Sequence, residues 1–472
     1  MTDVLVIGAG PAGVMASLRA ADLGARTTLV TSGAFGGMAA TDGPVPVRTL
    51  AHAARLLRET RQLGRYGVTV SEPELDYPRL LRRVAEVVDE VGRNSALRGQ
   101  AEAVGVRICE GTGFVRFVDP HTVETVDGRR FAADRIILCV GGISRRLPVP
   151  GFELTATHSD AWSLTSVPLS ILVIGSGATG AQVASVFNAF GTQVQLFEAG
   201  PRILSTEEPA VSAAVAAAFR ERGIVVHEGF GAIQSFEPSS AGVRMTWTKN
   251  GVTHDAEAAV VVVAVGWAAN TAGLDLAAAG VETDGRGFVT VDAHQATTAP
   301  HVFAAGDVTG RRMLVPQAQQ SGFVAATNAV QGPTIRSAQE INPVGSFTDP
   351  EYAQVGLGEA RARESHDVEA VTVGFDTMTR AIIDGRTSGF CKLILDRASR
   401  EILGCHLVGD RAVDVAQIAA VAMAGRIKVD ELARLPLSFP TYAGILGRAA
   451  SMGARTLNRG VDLPRPRVAD PA

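Results

Sequence analysis

The chain has 472 residues, a formal net charge of −4 at pH 7 and 46% hydrophobic residues. This length predicts two or three domains, and the small negative charge without a long basic run argues against a nucleic-acid partner, because phosphate contacts require clustered lysine and arginine. No apolar run reaches the length of a membrane span, and the first predicted strand starts at residue 3, which leaves no room for a signal peptide, so we expect a cytoplasmic protein.

The chain begins with a predicted strand, tight turn and helix. Residues 4–13 read VLVIGAGPAG, an apolar run followed by Gly8, Gly10 and Gly13. The G-x-G-x-x-G spacing lets backbone N–H groups approach a pyrophosphate at a helix N-terminus. Alone the motif is weak, because glycine-rich turns also join ordinary strands to helices. Residues 172–180, LVIGSGATG, repeat it, so the chain is predicted to bind two dinucleotides.

The residues that end the second strand of each unit differ between the two motifs. An acid at this position usually accepts the ribose hydroxyls of a dinucleotide. After the first motif the position falls on Thr31 and Ser32, so hydroxyls would take that role. After the second it falls on Glu198, which would repel the extra phosphate of NADP and favours NADH over NADPH. Arg202 would soften that preference unless it faces solvent.

Cysteine and histidine patterns indicate no metal or disulfide framework. Cys109, Cys139, Cys391 and Cys405 are far apart and form no C-x-x-C spacing, so we expect buried small hydrophobic residues rather than disulfide, metal or catalytic roles. The nine histidines are scattered without a ligand pair at helical or turn spacing, and no metal site is expected.

Eight stretches in order resemble the class I pyridine nucleotide-disulfide oxidoreductases, such as lipoamide dehydrogenase, glutathione and mercuric reductases and soluble transhydrogenase. The resemblance covers nearly the whole chain. The stretches are the glycine-rich loop GGMAATDGPVPVR at 36–48, residues 111–113, CVGGISRRLPVPG at 139–151, the second glycine motif at 172–180, VGWAANTAGL at 265–274, HVFAAGDVTG at 301–310, SFTDPEYAQVG at 346–356 and SFPTYAG at 438–444.

The resemblance implies an α/β fold with two Rossmann-like dinucleotide-binding domains, one for FAD and one for NAD(P), plus a C-terminal α+β dimerisation domain. The FAD domain would comprise residues 1–150 and 271–342, and the NAD(P) domain residues 151–270. The dimerisation domain would comprise residues 343–455, followed by a loose tail at 456–472. We therefore expect a homodimer.

The resemblance also implies two sets of cofactor contacts. Asp307 would accept from FAD hydroxyls, although an aspartate before a helix also serves as a plain N-cap. For FAD the implied residues are Gly8, Gly10, Pro11, Ala12, Gly13, Thr31, Ser32, Gly37, Met38, Arg48, Gly113, Val140, Gly141, Asp307, Leu314 and Val315. For NADH they are Gly175, Ser176, Gly177, Ala178, Thr179, Gly180, Glu198 and Gly266.

The chain departs from the family pattern where the family handles thiols. Ala39 and Pro44 stand at the two positions of the redox disulfide. The C-terminal H-P-T-x-x-E pattern, which supplies an acid–base pair from the second subunit, has Phe439 and Gly444 in place of its His and Glu. The loss of both the redox disulfide and the acid–base pair suggests that electrons leave the flavin by a different route. Random sequence drift is the alternative.

Further departures concern three candidate catalytic residues and one lid position. The family's flavin-side Lys and its Glu partner become Arg48 and Gln182, and Arg48 faces either the flavin or solvent and Asp42. Ala178 replaces a frequent Tyr lid over the nicotinamide site, or simply suits helix packing. Tyr442 is a candidate proton donor at the second subunit's flavin, or an interface aromatic residue.

The sequence therefore predicts an FAD-dependent NADH oxidoreductase that passes electrons from the flavin directly to a small-molecule acceptor. A quinone would suit the apolar walls expected from Met38, Ala39, Pro44 and a second copy's Phe439 and Tyr442. Pyridine nucleotide transhydrogenation and NADH oxidase activity are the alternatives within the enzyme class. A non-catalytic flavin-binding scaffold or redox sensor is the alternative outside it.

Overall fold

The computed structural model describes residues 1–337 and 341–458. Most of the predicted loose tail lies outside the described residues. The part that is described comprises the last two residues of the final helix and its C-cap Asn458, so the folded chain extends slightly further than predicted. The described chain forms two compact units, one of residues 1–197 and 230–337, the other of residues 198–229 and 341–458.

The strands of the described ranges are, in chain order, β1 Asp3–Ile7, β2 Arg26–Val30, β3 Arg107–Cys109, β4 Val115–Asp119, β5 Thr122–Thr125, β6 Arg130–Ala132, β7 Arg135–Leu138, β8 Gly142–Ser144, β9 Ser170–Ile174, β10 Gln193–Glu198, β11 Val225–Glu228, β12 Ala232–Ser239, β13 Gly242–Lys249, β14 Val252–Ala258, β15 Val260–Val263, β16 Trp267–Ala269, β17 Val302–Ala304, β18 Val344–Ser346, β19 Tyr352–Gly356, β20 Val368–Gly374, β21 Phe390–Asp396 and β22 Ile402–Val408.

The α-helices of the same ranges are α1 Pro11–Asp22, α2 Met38–Thr41, α3 Pro44–Thr60, α4 Tyr77–Asn94, α5 Leu97–Ala103, α6 His158–Trp162, α7 Ala178–Ala189, α8 Pro209–Glu221, α9 Val315–Gln331, α10 Glu359–Ala362, α11 Thr379–Ile383, α12 Ala412–Ala424, α13 Val429–Arg434 and α14 Gly444–Leu457.

The first unit contains two parallel sheets, one for each glycine motif. The first sheet has the order β17-β7-β1-β2-β3, and in the second β9 lies between β10 and β15. The central strands β1 and β9 are continuous apolar runs buried on both faces, as parallel sheets covered by helices require. The apolar run that begins at Val260 forms strand β15, which pairs in parallel with β9.

Two helices cover the first parallel sheet because small residues let them approach closely. Helices α1 and α9 cross at Gly322, where an added Cβ would lie 2.2 Å from the backbone oxygen of Ala12. Alanine predominates in this core, including the buried Ala16, Ala20 and Ala325. The tight crossing places the N-termini of α1 and α9 beside the carboxyl ends of β1 and β17, where ligands bind in open α/β sheets.

The second unit is built on an antiparallel sheet in the order β18-β19-β22-β21-β20. Helices α12 and α14 contribute Ala416, Ala419, Ala449 and Ala450 to one apolar core with the inward residues of this sheet. Residues 198–229, which the sequence assigns to the NAD(P) domain, are grouped with this unit. One reason is a buried contact in which Gln354 on β19 donates to Glu207 at 3.1 Å.

Candidate functional site

Both glycine motifs form the same turn. The first glycines, Gly8 and Gly175, have φ of +103° and +91°, in the left-handed region that residues with a side chain rarely adopt. A Cβ at these positions would lie 2.3 Å from Cys139 O and 2.5 Å from Ala264 O. Only glycine lets each turn pass so close to the neighbouring strand.

The other two glycines of each motif have contrasting surroundings. A Cβ at Gly13 or Gly180 would lie 1.8 or 1.9 Å from the backbone oxygen of the first glycine, so helix and strand meet only without a side chain. A Cβ at Gly10 or Gly177 would meet no atom within 4 Å. The space in front of both turns is open, and it lies at a helix N-terminus, so the cradle fits a pyrophosphate.

The predicted ribose positions lie at the carboxyl end of the first sheet. Thr31 is buried and Ser32 is exposed. Thr31 is held by its backbone, whose N–H donates to Cys109 O at 3.0 Å. The carboxylate at this edge comes from the next strand, where Glu110 accepts from the backbone N–H of Phe35 at 2.7 Å and from Arg98 at 2.6 Å. Glu110 therefore braces the loop after β2, a role that sequence reasoning missed.

The predicted linker contacts form a second edge of the first site. Gly113 and Gly141 both have positive φ, at +67° and +76°. Asn270 fastens the Val140 and Gly141 backbone, because its side chain donates to Val140 O at 3.2 Å and its N–H donates to Gly141 O at 3.1 Å. These two hydrogen bonds hold the Val140 and Gly141 backbone in place.

Asp307 carries the clearest electrostatic signature of the first site. It follows β17 and is the first residue of a short 3-10 helix whose N-cap is Gly306, with no side-chain capping bond, so the plain N-cap alternative does not apply. Burial raises the pKa of its carboxyl to about 6. Within residues 1–337 and 341–458 no protein donor satisfies this carboxylate. A half-buried acceptor without a donor fits the hydroxyls of a bound FAD.

The N-termini of two longer helices complete this edge. Pro11 and Ala12 open α1, and Leu314 is the N-cap of α9, which begins at Val315. The first N–H groups of a helix have no partner within the helix, and they favour an anionic or acceptor group. All of the predicted FAD residues except Arg48 therefore lie at turns or helix starts around the first sheet.

The glycine-rich loop after β2 packs directly on the first motif. Gly36 N–H donates to Ala9 O at 2.8 Å, and a Cβ at Gly37 would lie 2.8 Å from the Cα of Gly10. Met38 begins the short helix α2, and Ala39 follows in the same turn. The segment that resembles the family's disulfide loop is thus adjacent to the predicted FAD cradle.

Arg48 and Gln182 are brought together, as the resemblance implies. Arg48 on α3 donates through Nη1 to Gln182 Oε1 on α7 at 2.9 Å, and Gln182 Nε2 donates to Ala178 O at 3.2 Å. Asp42, the other predicted neighbour of Arg48, accepts from Ser159. The amide therefore joins the helix after the glycine-rich loop to the helix of the second motif.

The second dinucleotide turn is open at its outer positions. Ser176 is buried, whereas Gly177 and Ala178 are exposed and Thr179 is half-buried. Gly266 has φ of +106° and accepts from Arg145 N–H at 3.0 Å. Because Ala178 is exposed, helix packing does not require a small residue there.

Glu198, the last residue of β10, and Arg202, four residues further along, are the two charged residues predicted to influence ribose recognition. Glu198 Oε1 accepts from the backbone N–H of Gly200 at 2.7 Å, which orients the carboxylate. Arg202 does not face solvent as expected, since its guanidinium donates to three carbonyls, those of Leu204 at 3.3 Å, Ser205 at 2.8 Å and Glu207 at 2.9 Å. These bonds commit the arginine to its own loop.

The C-terminal candidates occupy contrasting environments in the second unit. Tyr442 is buried against Phe375, and its hydroxyl donates to Asp384 at 2.9 Å. Burial is the main reason that the pKa of this phenol is raised well above its ordinary value, so Tyr442 keeps its proton and packs in the core of the second unit. Phe439 instead is 81% exposed.

A buried histidine that sequence reasoning dismissed lies next to the glycine-rich loop. His158 begins α6 and contacts Ser144, Ser159 and the indole of Trp267. Ser159 in turn donates to Asp42. The spacing of these residues along the chain gives no signal of their contact, because they come from four separate segments.

The cysteines are buried or half-buried, with one unforeseen contact. Cys391 and Cys405 lie on neighbouring antiparallel strands with their sulfurs 3.9 Å apart, and both remain free thiols. Burial raises the pKa of the Cys139 thiol far above its ordinary value, as expected of a structural residue.

Two absences apply to the described ranges only. Residues 1–337 and 341–458 contain no helix long and apolar enough to cross a membrane. The same residues contain no cluster of three or more His, Cys, Asp or Glu side chains suited to a metal ion.

Comparison with known proteins assigns both parts of the chain. Residues 2–322 match the family model described as pyridine nucleotide-disulphide oxidoreductase, and residues 342–450 match that of its dimerisation domain. The chain is 30% identical to a mercuric reductase of Lysinibacillus sphaericus over 95% of this chain and 82% of the relative. It is 31% identical to a dihydrolipoyl dehydrogenase of Haloferax volcanii over 97% and 98% of the two chains.

Solved structures show the same fold over nearly the full length. LpdA from Mycobacterium tuberculosis superposes with a TM-score of 0.85 at 26% identity, covering 96% of this chain and 99% of that one. The HOCl-induced flavoprotein disulfide reductase RclA from Escherichia coli gives a TM-score of 0.84 at 22% identity, covering 95% and 99%.

Proposed function

Because the chain belongs to the class I pyridine nucleotide-disulfide oxidoreductase family and is an FAD-dependent NAD(P)H oxidoreductase, we propose that it passes electrons directly to a small-molecule acceptor without a redox disulfide. The observation that carries the proposal is the place of the glycine-rich loop. Gly36 and Gly37 pack on the first dinucleotide motif, and the residues that follow, Ala39 and Pro44, have no sulfur.

The chain's own residues would hold FAD in the first cradle. Gly8, Gly10 and Gly13 leave room for the pyrophosphate, and Asp307 offers an unsatisfied carboxylate to hydroxyl groups. Bound FAD supplies two-electron chemistry, taking a hydride from a nicotinamide and returning two electrons to an acceptor. The protein's part is to position the reactants and to exclude competing groups.

NADH is the proposed donor. Glu198 is oriented by the Gly200 N–H, and its carboxylate would accept from ribose hydroxyls and repel a phosphate on the same ribose. Arg202, the cation that would favour NADPH, is engaged with three carbonyls of its own loop. Recruiting it for a phosphate would require breaking those bonds.

Arg48 and Gln182 are proposed to position the reacting groups between the two cofactors. Their 2.9 Å bond links α3, which follows the glycine-rich loop, to α7, which starts at the second motif. A guanidinium cannot lose its proton at physiological pH, and an amide carries no charge, so this pair differs electrostatically from a lysine–glutamate pair. We propose that it favours an electron-rich group beside it.

The second unit is proposed to form a homodimer. Its sequence matches the dimerisation domain, and it exposes large apolar side chains. Exposed fractions are 57% at Ile382, 53% at Ile383, 69% at Val421 and 81% at Phe439. A second copy that covers such residues would gain the apolar burial that stabilises obligate dimers.

Rapid mixing of the FAD-loaded protein with NADH, followed by a panel of acceptors, tests the proposal. We expect NADH to bleach the flavin absorbance within the turnover time, and a menadione-type quinone to restore it faster than thio-NAD or oxygen does. Faster oxidation by thio-NAD would assign transhydrogenation instead. A flavin that stays oxidised under excess NADH and NADPH would contradict an enzymatic role.

A further inference from the structure

A hydrogen-bonded chain of four side chains connects the glycine-rich loop to strand β8. Ser144 Oγ lies 3.2 Å from Nδ1 of His158, whose Nε2 lies 3.5 Å from Ser159 Oγ. Ser159 Oγ contacts the carboxylate of Asp42. Asp42 is the C-cap residue that follows α2, and it lies between Ala39 and Pro44 in the sequence. The four residues come from three separate segments, since His158 and Ser159 are neighbours in α6, yet they form one continuous path.

The direction of these bonds follows from the chemistry of their ends. An ionised carboxylate only accepts, so Ser159 donates its proton to Asp42. The Ser159 oxygen then accepts from Nε2–H of His158, which leaves Nδ1 without a proton to accept from Ser144. Every donor therefore points from Ser144 towards Asp42.

The charges around His158 favour this arrangement. The imidazole is 6% exposed, and burial lowers its pKa, so it is neutral at neutral pH. Two carboxylates, Asp42 and Asp160, face it. Asp160 is already bound to the N–H and hydroxyl of Thr157, which leaves Asp42 as the carboxylate connected to the histidine.

The same histidine also lies near the predicted flavin side. Its ring meets the edge of Trp267, with centroids 4.9 Å apart. Trp267 and Asp307 both lie beside Gly142, since a Cβ there would be 3.8 Å from the indole and 3.5 Å from the Asp307 Cβ. The path thus passes beside the FAD cradle before it reaches the loop.

We propose that Ser144, His158 and Ser159 form a relay that delivers a proton to the Asp42 carboxylate. Asp42 then donates this proton to the bound acceptor. The proposal rests on direct transfer to an acceptor at the glycine-rich loop. Reduction of a quinone to a hydroquinone takes two electrons and two protons, and the hydride of NADH accounts for both electrons and one proton. The second proton comes from solvent.

Each transfer in the relay is balanced. After Asp42 has given its proton to the acceptor and become a carboxylate, a solvent water gives a proton to Ser144 and remains in bulk solvent as hydroxide. Ser144 gives its own proton to Nδ1 of His158, while Nε2 gives its proton to Ser159 and Ser159 gives its own to Asp42. His158 ends neutral and Asp42 ends as a neutral acid. Rotation of the two serine hydroxyls and the return of His158 to its Nε2–H tautomer then restore the starting direction of the hydrogen bonds. Phe439 and Gly444, at the positions of the family's acid–base pair, carry no such proton.

The test compares an acceptor that needs protons with one that does not. We expect Asp42→Asn and His158→Gln to slow the oxidation of NADH-reduced protein by a menadione-type quinone about ten- to a hundred-fold. Oxidation by ferricyanide, which takes electrons alone, and the reduction by NADH should stay within about two-fold. His254→Gln, an exposed histidine on β14, is the matched control and should change neither.

A measurement without turnover tests the relay's direction. Nitrogen-15 NMR of histidine-labelled holoprotein should show His158 as the Nε2–H tautomer, and Asp42→Asn should lower its pKa, because Asp42 raises it. An Nδ1–H tautomer, or equal slowing of quinone and ferricyanide, would overturn the relay. A wild-type protein that NADH reduces but no quinone reoxidises would instead overturn the proposed function.

Discussion

The two glycine turns share one backbone but differ in what surrounds them. The third glycine approaches the first to the same degree in both, with a hypothetical Cβ 1.8 Å from Gly8 O and 1.9 Å from Gly175 O. The second strand of the first site, however, is followed by Thr31, whereas that of the second site ends in Glu198. The glycine-rich loop also follows the first turn only. We therefore expect the turn to fix where a dinucleotide lies and its neighbours to decide which dinucleotide binds and how it reacts.

The largest expected effect comes from adding a methyl group at the third glycine of each turn. Gly13→Ala and Gly180→Ala place a methyl group within 2 Å of a backbone oxygen, so helix and strand must separate. We expect Gly13→Ala to lose FAD on purification. Gly180→Ala should keep FAD and lose rapid reduction by NADH.

The control uses the open glycine of the second turn. A Cβ at Gly177 meets no protein atom, so Gly177→Ala should fold and retain FAD, with loss confined to NADH binding. Absorbance spectra and stopped-flow traces distinguish these outcomes. If Gly13→Ala kept FAD, the first motif would not be the FAD cradle.

The second-largest effect concerns Glu198, the last residue of β10. Glu198→Thr gives the second site the residue of the first, and removes a charged acceptor for ribose hydroxyls. Bonds to a charged group contribute about 1.5–3 kcal/mol, so we expect at least a roughly ten-fold rise in KM for NADH. The preference over NADPH should fall by a similar factor, as measured by kcat/KM with both donors. An unchanged ratio of the kcat/KM values for NADH and NADPH would show that Glu198 does not distinguish the ribose of NADH from that of NADPH.

The third effect concerns Asp307, whose replacement is expected to weaken FAD binding and to stabilise the FAD-free protein. Folding raises the pKa of this carboxyl to about 6 from an ordinary value of 3.8, so the folded state holds the proton more tightly and stability is lost as pH rises through that interval. FAD-free Asp307→Asn should therefore melt at a higher temperature than wild type at pH 8. The difference should shrink as the pH is lowered to 4.

The same variant should bind FAD about ten-fold more weakly, because an amide is a poorer acceptor than a carboxylate. Calorimetric melting of the FAD-free protein and fluorescence titration with FAD measure the two effects. Weaker binding without the pH-dependent gain in stability would mean that Asp307 is not a strained buried acid before FAD binds.

The smallest effect concerns the outer face of the second turn. Ala178 is exposed, so Ala178→Tyr should fold normally and place a ring over the nicotinamide position. We expect turnover with quinone to fall by about two- to ten-fold, because the lid must move before reactants exchange. Ala178→Ser is the size-matched control. A Tyr variant as fast as wild type would place residue 178 away from that path.

The sequence predicts most of this fold because its signals are local. Apolar strands ending in spaced glycines identify both turns, and the family resemblance implies Arg48 and Gln182, which the structure joins at 2.9 Å. The burial of Tyr442 could not be predicted, because chain order does not tell whether a phenol faces inward or outward, and here Asp384 accepts its hydrogen bond inside the unit.

The relay residues were missed for a related reason. Asp42, Ser144, His158 and Ser159 are individually unremarkable, and only the folding of a loop, a strand end and a short helix against one another aligns them. Contacts between distant segments carry no periodic signal. The Cys391 and Cys405 contact was missed in the same way, although a short antiparallel hairpin between them would have suggested it.

The most direct test of electron transfer without a redox disulfide is an anaerobic titration of the FAD-loaded protein with NADH. A disulfide in contact with flavin would store a second electron pair. We predict that one equivalent of NADH per flavin completes the bleaching and that further NADH is not consumed. Consumption of two equivalents per flavin would contradict the account.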